Sequence, residues 1–256
     1  MQNRLQQIAK EALEISSTDF VKTVETATNT LQKENGRIGN LQIVEKHIKI
    51  KPRGEAVVIS DLHGDLESLV HILQESNVLQ KMENSKLVSL IFLGDYGDRG
   101  EFSAEIYSVV LQLKLQYPEQ TVLMRGNHEG PKDLMAYPHD LPTQFKTRFG
   151  QKWVEPYKKL LELFPYLYNS VSVEERYLIV HGGLPSAART IKDFAYAHEN
   201  YPGKTFLEDM LWSDPLESFE GLYPSPRGAG KLFGKDVTET VLRSINVKIL
   251  IRGHEP

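Results

Sequence analysis

Five short aliphatic runs, each closed by a polar turn containing glycine, constrain the fold of this 256-residue chain more than any other feature. They read EAVVIS (55–60), KLVSLIFLG (86–94), TVLMRG (121–126), ERYLIVHGG (175–183) and VKILIRG (247–253). Runs this short and this apolar are expected of strands covered on both faces. Between the first three, segments at about 65–80 and 101–116 read as helices, so right-handed crossovers and a largely parallel core are expected. A longer helical stretch should cover about 145–163. YLYNSVSVEERYLIV reads as a hairpin closed at Glu174 and Glu175, which would make the sheet mixed.

Ahead of these runs, apolar residues recur at helical spacing from Leu5 to Ile15 and at Phe20, Val24, Ala27 and Leu31, with SSTD between them offering capping side chains. By sequence the chain divides into an N-terminal helical extension, 1–50, and a main domain, 51–256. The first of these reads as a packed cover or a docking arm, and nothing in its residues decides between the two.

Composition removes several function classes. There is no cysteine, so disulfides, thiolate zinc sites and cysteine nucleophiles are excluded, and with them cysteine-based phosphatase or protease chemistry. Thirty basic against 34 acidic side chains leave a net charge of -4, which gives no reason to expect nucleic acid or an anionic membrane as partner. The amino terminus lacks the apolar core of a signal peptide and no run is long enough to span a bilayer, so a cytoplasmic location is expected.

In open α/β sheets the chemistry lies beyond the carboxyl ends of the strands. Those ends read SDLHGD (Asp61, His63), GDYGDRG (Asp95, Asp98, Arg99), RGNHEG (Asn127, His128, Glu129), HGGLP (His181) and RGHEP (His254). One aspartate at one strand end is ordinarily a turn or a cap, and one histidine is ordinarily packed or solvated. Independent turns have no reason to choose ligand chemistry five times over. Asp, His and Asn donors suit divalent manganese, iron or zinc, and six donors from five strands exceed what one ion needs. A pair of ions about 3.5 to 4 Å apart with one bridging carboxylate would use them all.

The ordered set DLHGD, GDYGDRG, GNHE, HGG and RGH closely resembles the signature motifs of the phosphoprotein phosphatase (PPP) family, the serine/threonine protein phosphatases among the calcineurin-like metallophosphoesterases. LWSDP (211–215) and RGAG (227–230) also resemble segments of that branch. The resemblance implies an α/β (α+β) architecture with a central β-sandwich of mixed sheets flanked by helices, in four layers α/β/β/α. It implies that Asp61 and His63 hold one ion, that Asp95 bridges, and that Asn127, His181 and His254 hold the other. It makes Arg99 and Arg227 phosphate ligands and His128, oriented by Asp98, the general acid.

The implied cofactors are two divalent ions, manganese in vitro with iron or zinc as alternatives, and the implied partners are phosphorylated proteins. The implied reaction is direct attack of a metal-bridging hydroxide on phosphorus, with no covalent phosphoenzyme. Two other readings remain open: a dinucleoside polyphosphate hydrolase or broad phosphoesterase of the same fold, and a binding module that keeps metal as a staple. Family members normally continue beyond the point where this chain stops, two residues after His254, into further strands and a loop with an aromatic residue; a fragment or a shortened variant is expected.

Two stretches imitate nucleotide sites. PGKT (202–205) lacks the leading glycine of a P-loop, and GAGKLFG (228–234) has the wrong spacing for a dinucleotide fingerprint, so both are expected to be loops. His47, His71, His139 and His198 lie off the strand ends and read as structural or solvated, and Trp153 and Trp212 as core anchors.

Overall fold

The computed structural model describes residues 2–255. Helices α1 (Gln2–Glu14) and α2 (Ser17–Lys33) open the chain. The Ser16 hydroxyl caps α2 by accepting the Asp19 N–H at 3.1 Å, and the expected stripe Phe20, Val24, Ala27 and Leu31 is buried. Three strands follow as an antiparallel meander, β1 (Gly36–Ile38), β2 (Leu41–Val44) and β3 (His47–Ile50).

Next come β4 (Glu55–Ile59), α3 (Leu66–Glu75), α4 (Val78–Asn84), β5 (Val88–Phe92), α5 (Ser103–Gln116) and β6 (Thr121–Leu123). Helices α6 (Leu141–Phe149) and α7 (Val154–Leu163) lead to the hairpin β7 (Ser170–Val173) and β8 (Tyr177–Val180). The last third holds α8 (Ile191–Ala195), α9 (Ala197–Asn200), α10 (Phe206–Trp212), β9 (Asp214–Pro215), β10 (Leu222–Pro224), β11 (Lys231–Phe233), α11 (Lys235–Ser244) and β12 (Ile249–Ile251).

Strands β4, β5 and β6 form the parallel sheet that the crossovers imply. A mixed six-stranded sheet runs in the order β1-β2-β3-β7-β8-β12. Its first three strands come from residues 36–50: helix ends at Lys33, and these residues enter the sheet through the parallel pairing of β3 with β7. Strands of three or four residues, each with an exposed side chain among them, carry too little apolar signal to stand out. The expected helix at 65–80 is broken at Asn77, in left-handed backbone, and the one at 145–163 near Gly150, also at positive φ. GAGKLFG is not all loop, because Lys231–Phe233 pairs with β9 and β10.

Four layers follow from which face each side chain takes. Ile179 of β8 shares a core with Ile48 of β3, with Leu90 of β5, Val122 of β6 and with the helices α1, α2 and α5. Its neighbours Leu178 and Val180 point the opposite way, into a second core with Phe194, Met210, Leu211 and Val241 from α8, α10 and α11. Helix α5 is buried along most of its length because α1 and α2 cover it, and α2 also packs against α7. Among the described residues, no helix is long and apolar enough to cross a membrane.

Candidate active site

The loops after β4, β5, β6, β8 and β12 meet at one edge of the two sheets. His63, Asp95, Asp98, Arg99 and His254 all sit there at positive φ, between 44 and 74°. Side chains rarely adopt such backbone, and it persists only where surrounding contacts over-determine it. Here the N–H groups of Leu62 and His63 donate to the Asp95 carbonyl at 3.0 and 2.9 Å. The Glu129 carboxylate, fully buried, ties the next two loops together by accepting from the N–H groups of Asp95 (2.8 Å), Tyr96 (3.0 Å) and Gly126 (3.1 Å) and from the Tyr107 hydroxyl (2.7 Å). Glycine is obligatory at Gly126, where a Cβ would stand 2.1 Å from Asp95 Oδ1.

Within this frame, electron pairs face one another. Asp95 Oδ2 lies 3.6 Å from His63 Nε2 and 3.5 Å from His181 Nε2, and Asn127 Oδ1 is 3.1 Å from His181 Nε2. His63 Nδ1 donates to the Gly97 carbonyl at 2.9 Å, which leaves Nε2 of its neutral ring as a lone pair, and His181 Nδ1 donates to the Leu93 carbonyl at 3.1 Å; burial works to lower His181, but the Asp95 carboxylate outweighs it and raises its pKa. The Nε2 atoms of His63 and His254 are buried without a hydrogen-bond partner. The Asn127 amide lies against the Asp95 carboxylate and His181 Nε2, and with its NH2 turned toward them it hydrogen-bonds to both. The donor set therefore fits divalent ions.

At this edge two triplets have ligand atoms within 4.8 Å of one another: His63, Asp95 and His128, and Asp95, His181 and His254. Asp95 belongs to both. Asp61 lies outside them; its carboxylate accepts from the Ser60 hydroxyl and from the His254 N–H (3.1 Å), so it ties the first loop to the last. Burial pushes His254 down to about 4, with the neighbouring His181 adding to the effect, and burial likewise lowers His63 against the pull of Asp95. Both rings are thus held as the neutral ligand form. Burial works to raise the Asp95 carboxyl, but the histidines around it, His181 foremost, hold it well below the usual range and keep it ionised.

Beside the donors, His128 Nδ1 donates to Asp98 Oδ2 at 2.6 Å. Burial works to lower this imidazole, yet the Asp98 hydrogen bond and the Asp95 and Asp98 charges outweigh it and raise its pKa. Asp98 is braced on its other oxygen by the N–H groups of Asp140 (2.9 Å) and Leu141 (2.7 Å). Arg99 is exposed and lines the cleft shared by Asp61, His63 and His254. Arg227 is tied down: its Nε donates to Asp214 Oδ2 at 2.7 Å and a terminal nitrogen to the His254 carbonyl at 3.2 Å.

Sequence reasoning passed over three residues. Asp214 also pairs with Arg252, so it joins two arginines at the rim. Both stand inside quoted motifs, LWSDP and RGH, which was the available signal. His139 is the third; its ring donates to Asp98 at 2.9 Å, and nothing in YPHD announces that contact. Trp212 is buried as expected, but its ring also meets that of His254 edge-on at 6.0 Å.

An edge where loops from parallel strands gather carboxylate, amide and imidazole donors, with a carboxylate-backed histidine and an exposed arginine at the rim, defines a metal-dependent phosphoester hydrolase. The model of the calcineurin-like phosphoesterases matches residues 56–256. A protein phosphatase 2A catalytic subunit of Dictyostelium discoideum is 31% identical over 229 residues, 89% of this chain and 70% of that protein. Serine/threonine-protein phosphatase ppe1 of Schizosaccharomyces pombe is 32% identical over 217 residues, 83% of this chain and 67% of that one. Among solved structures, a protein serine/threonine phosphatase from Saccharomyces cerevisiae with similarity to human phosphatase PP5 superposes with a TM-score of 0.75 over 94% of this chain and 72% of its own, at 23% identity, a likeness of fold. The chain belongs to the calcineurin-like phosphoesterase family, in its serine/threonine protein phosphatase branch. Phosphoesterases of this family work with a dinuclear metal centre.

Proposed function

We propose that the protein removes phosphate from phosphoserine and phosphothreonine in proteins. The observation that carries this reading is the convergence of the Asp95 carboxylate, the Asn127 amide and the His63 and His181 imidazoles beside a carboxylate-backed His128. Asp61 and His63 would hold one ion, Asn127, His181 and His254 the other, and Asp95 both; manganese suits the donors in vitro, and iron or zinc also fit. When bound, the ions supply the Lewis-acid charge that makes water nucleophilic at neutral pH.

The chain's own residues do the rest. Arg99 presents a planar fork to two phosphoryl oxygens, with Arg227 held by Asp214 as the second clamp. Asp98, ionised and fully hydrogen-bonded, keeps the proton on His128 Nδ1, so Nε2 is the nitrogen that protonates the departing serine or threonine oxygen. The names of the relatives in the comparison support protein substrates.

Hydrolysis of an aryl phosphate should vanish when the protein is stripped with a chelator and return with manganese. Activity indifferent to chelation would refute the reading. Rates on a phosphopeptide panel and on diadenosine tetraphosphate choose between substrate classes, and a strong preference for the latter would defeat the protein substrate.

A further inference from the structure

We propose that His139 is a positioning residue that fixes the general acid through their shared carboxylate. The inference rests on the assignment of His128 as that acid. Asp98 Oδ2 takes two donors, His128 Nδ1 at 2.6 Å and His139 Nδ1 at 2.9 Å. An ionised carboxylate only accepts, so both Nδ1 atoms carry their protons. His139 Nε2 is then left to accept from the Tyr157 hydroxyl, 2.9 Å away. Tyr157 belongs to α7, and its ring packs against Phe145 and Trp153 at centroid distances of 6.1 and 5.9 Å. A continuous line of contacts thus runs from helix packing through Tyr157, His139 and Asp98 to His128.

The terminal torsion of an aspartate is broad, so one well-held oxygen does not fix the other. The N–H groups of Asp140 and Leu141 hold Oδ1; without His139, Oδ2 would be located only by the ring it is meant to orient. Proton transfer is sensitive to that placement, because a small misalignment of a reacting group costs rate out of proportion to the energy of the lost contact. The His139 ring hydrogen-bonds to Asp98 and Tyr157 and to none of the cleft arginines or triplet donors, so its effect should appear only where a proton must be delivered.

The test compares phenyl phosphate, whose leaving oxygen needs a proton, with 2,4-dinitrophenyl phosphate, whose leaving group does not, using the full chain loaded with manganese. His139→Ala should lower kcat on phenyl phosphate by about tenfold, a fraction of the 10² to 10⁴ that a general acid supplies, with KM and the dinitrophenyl rate within twofold of wild type. His139→Asn, whose amide N–H can stand where Nδ1–H stood, should restore most of that loss. Tyr157→Phe, which keeps the packing and removes only the hydroxyl, should show a smaller loss with the same selectivity. In metal-free protein, ring ¹⁵N spectra should report Nδ1–H for both histidines, and the His128 signal should move in His139→Ala.

Equal losses on both substrates, or a change confined to KM, would reduce His139 to a structural contact and overturn the inference. If His139→Ala does not fold, Tyr157→Phe and the asparagine variant decide by the same ratio. His128→Asn, measured alongside, separates the two assignments: if it discriminates between the substrates and the His139 variants do not, only the positioning role falls. If it does not discriminate, the general-acid assignment falls and the positioning role with it.

Discussion

His47 and His181 are equally hidden from solvent, at 1% and 0% exposure, yet their ring nitrogens end in opposite situations. His47, on β3, bonds through Nδ1 to the Ser170 hydroxyl and through Nε2 to the Ser172 hydroxyl, both at 2.8 Å. Hydroxyls donate or accept as required, so a neutral His47 is satisfied in either tautomer. His181 faces the Leu93 carbonyl and the Asp95 carboxylate, both acceptors. A neutral imidazole has one proton to offer them. Burial is common to both histidines and does not distinguish a site; a buried ring whose surroundings ask for more positive charge than it has does.

The comparison breaks first at Asp95, the acceptor that both triplets share. Asp95→Asn keeps the shape and removes the charge, so the demand for cations should fall in both triplets at once. Turnover of an aryl phosphate should drop by more than the roughly 10² to 10⁴ that a single general acid contributes, and metal analysis should find fewer than two ions per chain. Two ions retained per chain would contradict the shared role.

His128 tests whether the demand for charge and the delivery of protons are separate. His128→Asn should lower kcat by roughly 10² or more while metal content holds. The sign of the pH effect follows from the raised pKa. The acid must carry its proton, so wild-type activity should persist above the ordinary histidine value of about 6.5 and decline as pH rises through the raised one. That alkaline limb should be missing from the variant. Arg99→Lys should act more weakly still, raising KM about tenfold by replacing two parallel hydrogen bonds with a point charge. An unchanged KM would remove Arg99 from phosphate binding.

Much of the site was legible because ligand chemistry is confined to strand ends, and short aliphatic runs mark those ends. Asp61, His63, Asp95, Asn127, His181 and His254 could be grouped from the residues before any fold was known, and of these the structure places His63, Asp95, His181 and His254 in the two triplets and Asp61 outside them. The same logic placed the three parallel strands and the β7–β8 hairpin, where apolar runs and a turn are both strong. The four layers came from family resemblance, because facing sheets are a tertiary fact that periodicity does not encode. Strands β1–β3 were hidden by their brevity, three or four residues each. The left-handed backbone at His63, Asp95, Asp98, Arg99 and His254 could not be read either, since L side chains there are disfavoured locally and held by distant hydrogen bonds. His139 reaches Asp98 across 41 positions of chain, and no spacing rule covers that.

The smallest effect on activity should come from His47, the satisfied member of the pair. His47→Asn strands at least one of the Ser170 and Ser172 hydroxyls, so the fold should lose about 1 to 3 kcal/mol at pH 7 while metal content and kcat per folded molecule stay within twofold of wild type. Burial pushes this imidazole down to about 3. In the unfolded chain it would take up a proton near pH 6.5, which the folded state refuses until about pH 3, so the unfolded state binds more protons throughout that window. Wild-type stability should therefore be at its full value above pH 6.5 and fall as the solution is acidified, and the variant, which has no imidazole at this position, should fall less steeply. Denaturant titrations of metal-free protein at pH 7 and pH 5 measure both quantities. Loss of metal in His47→Asn, or an acid slope as steep as that of wild type, would mean that the two buried histidines differ less than their partners indicate.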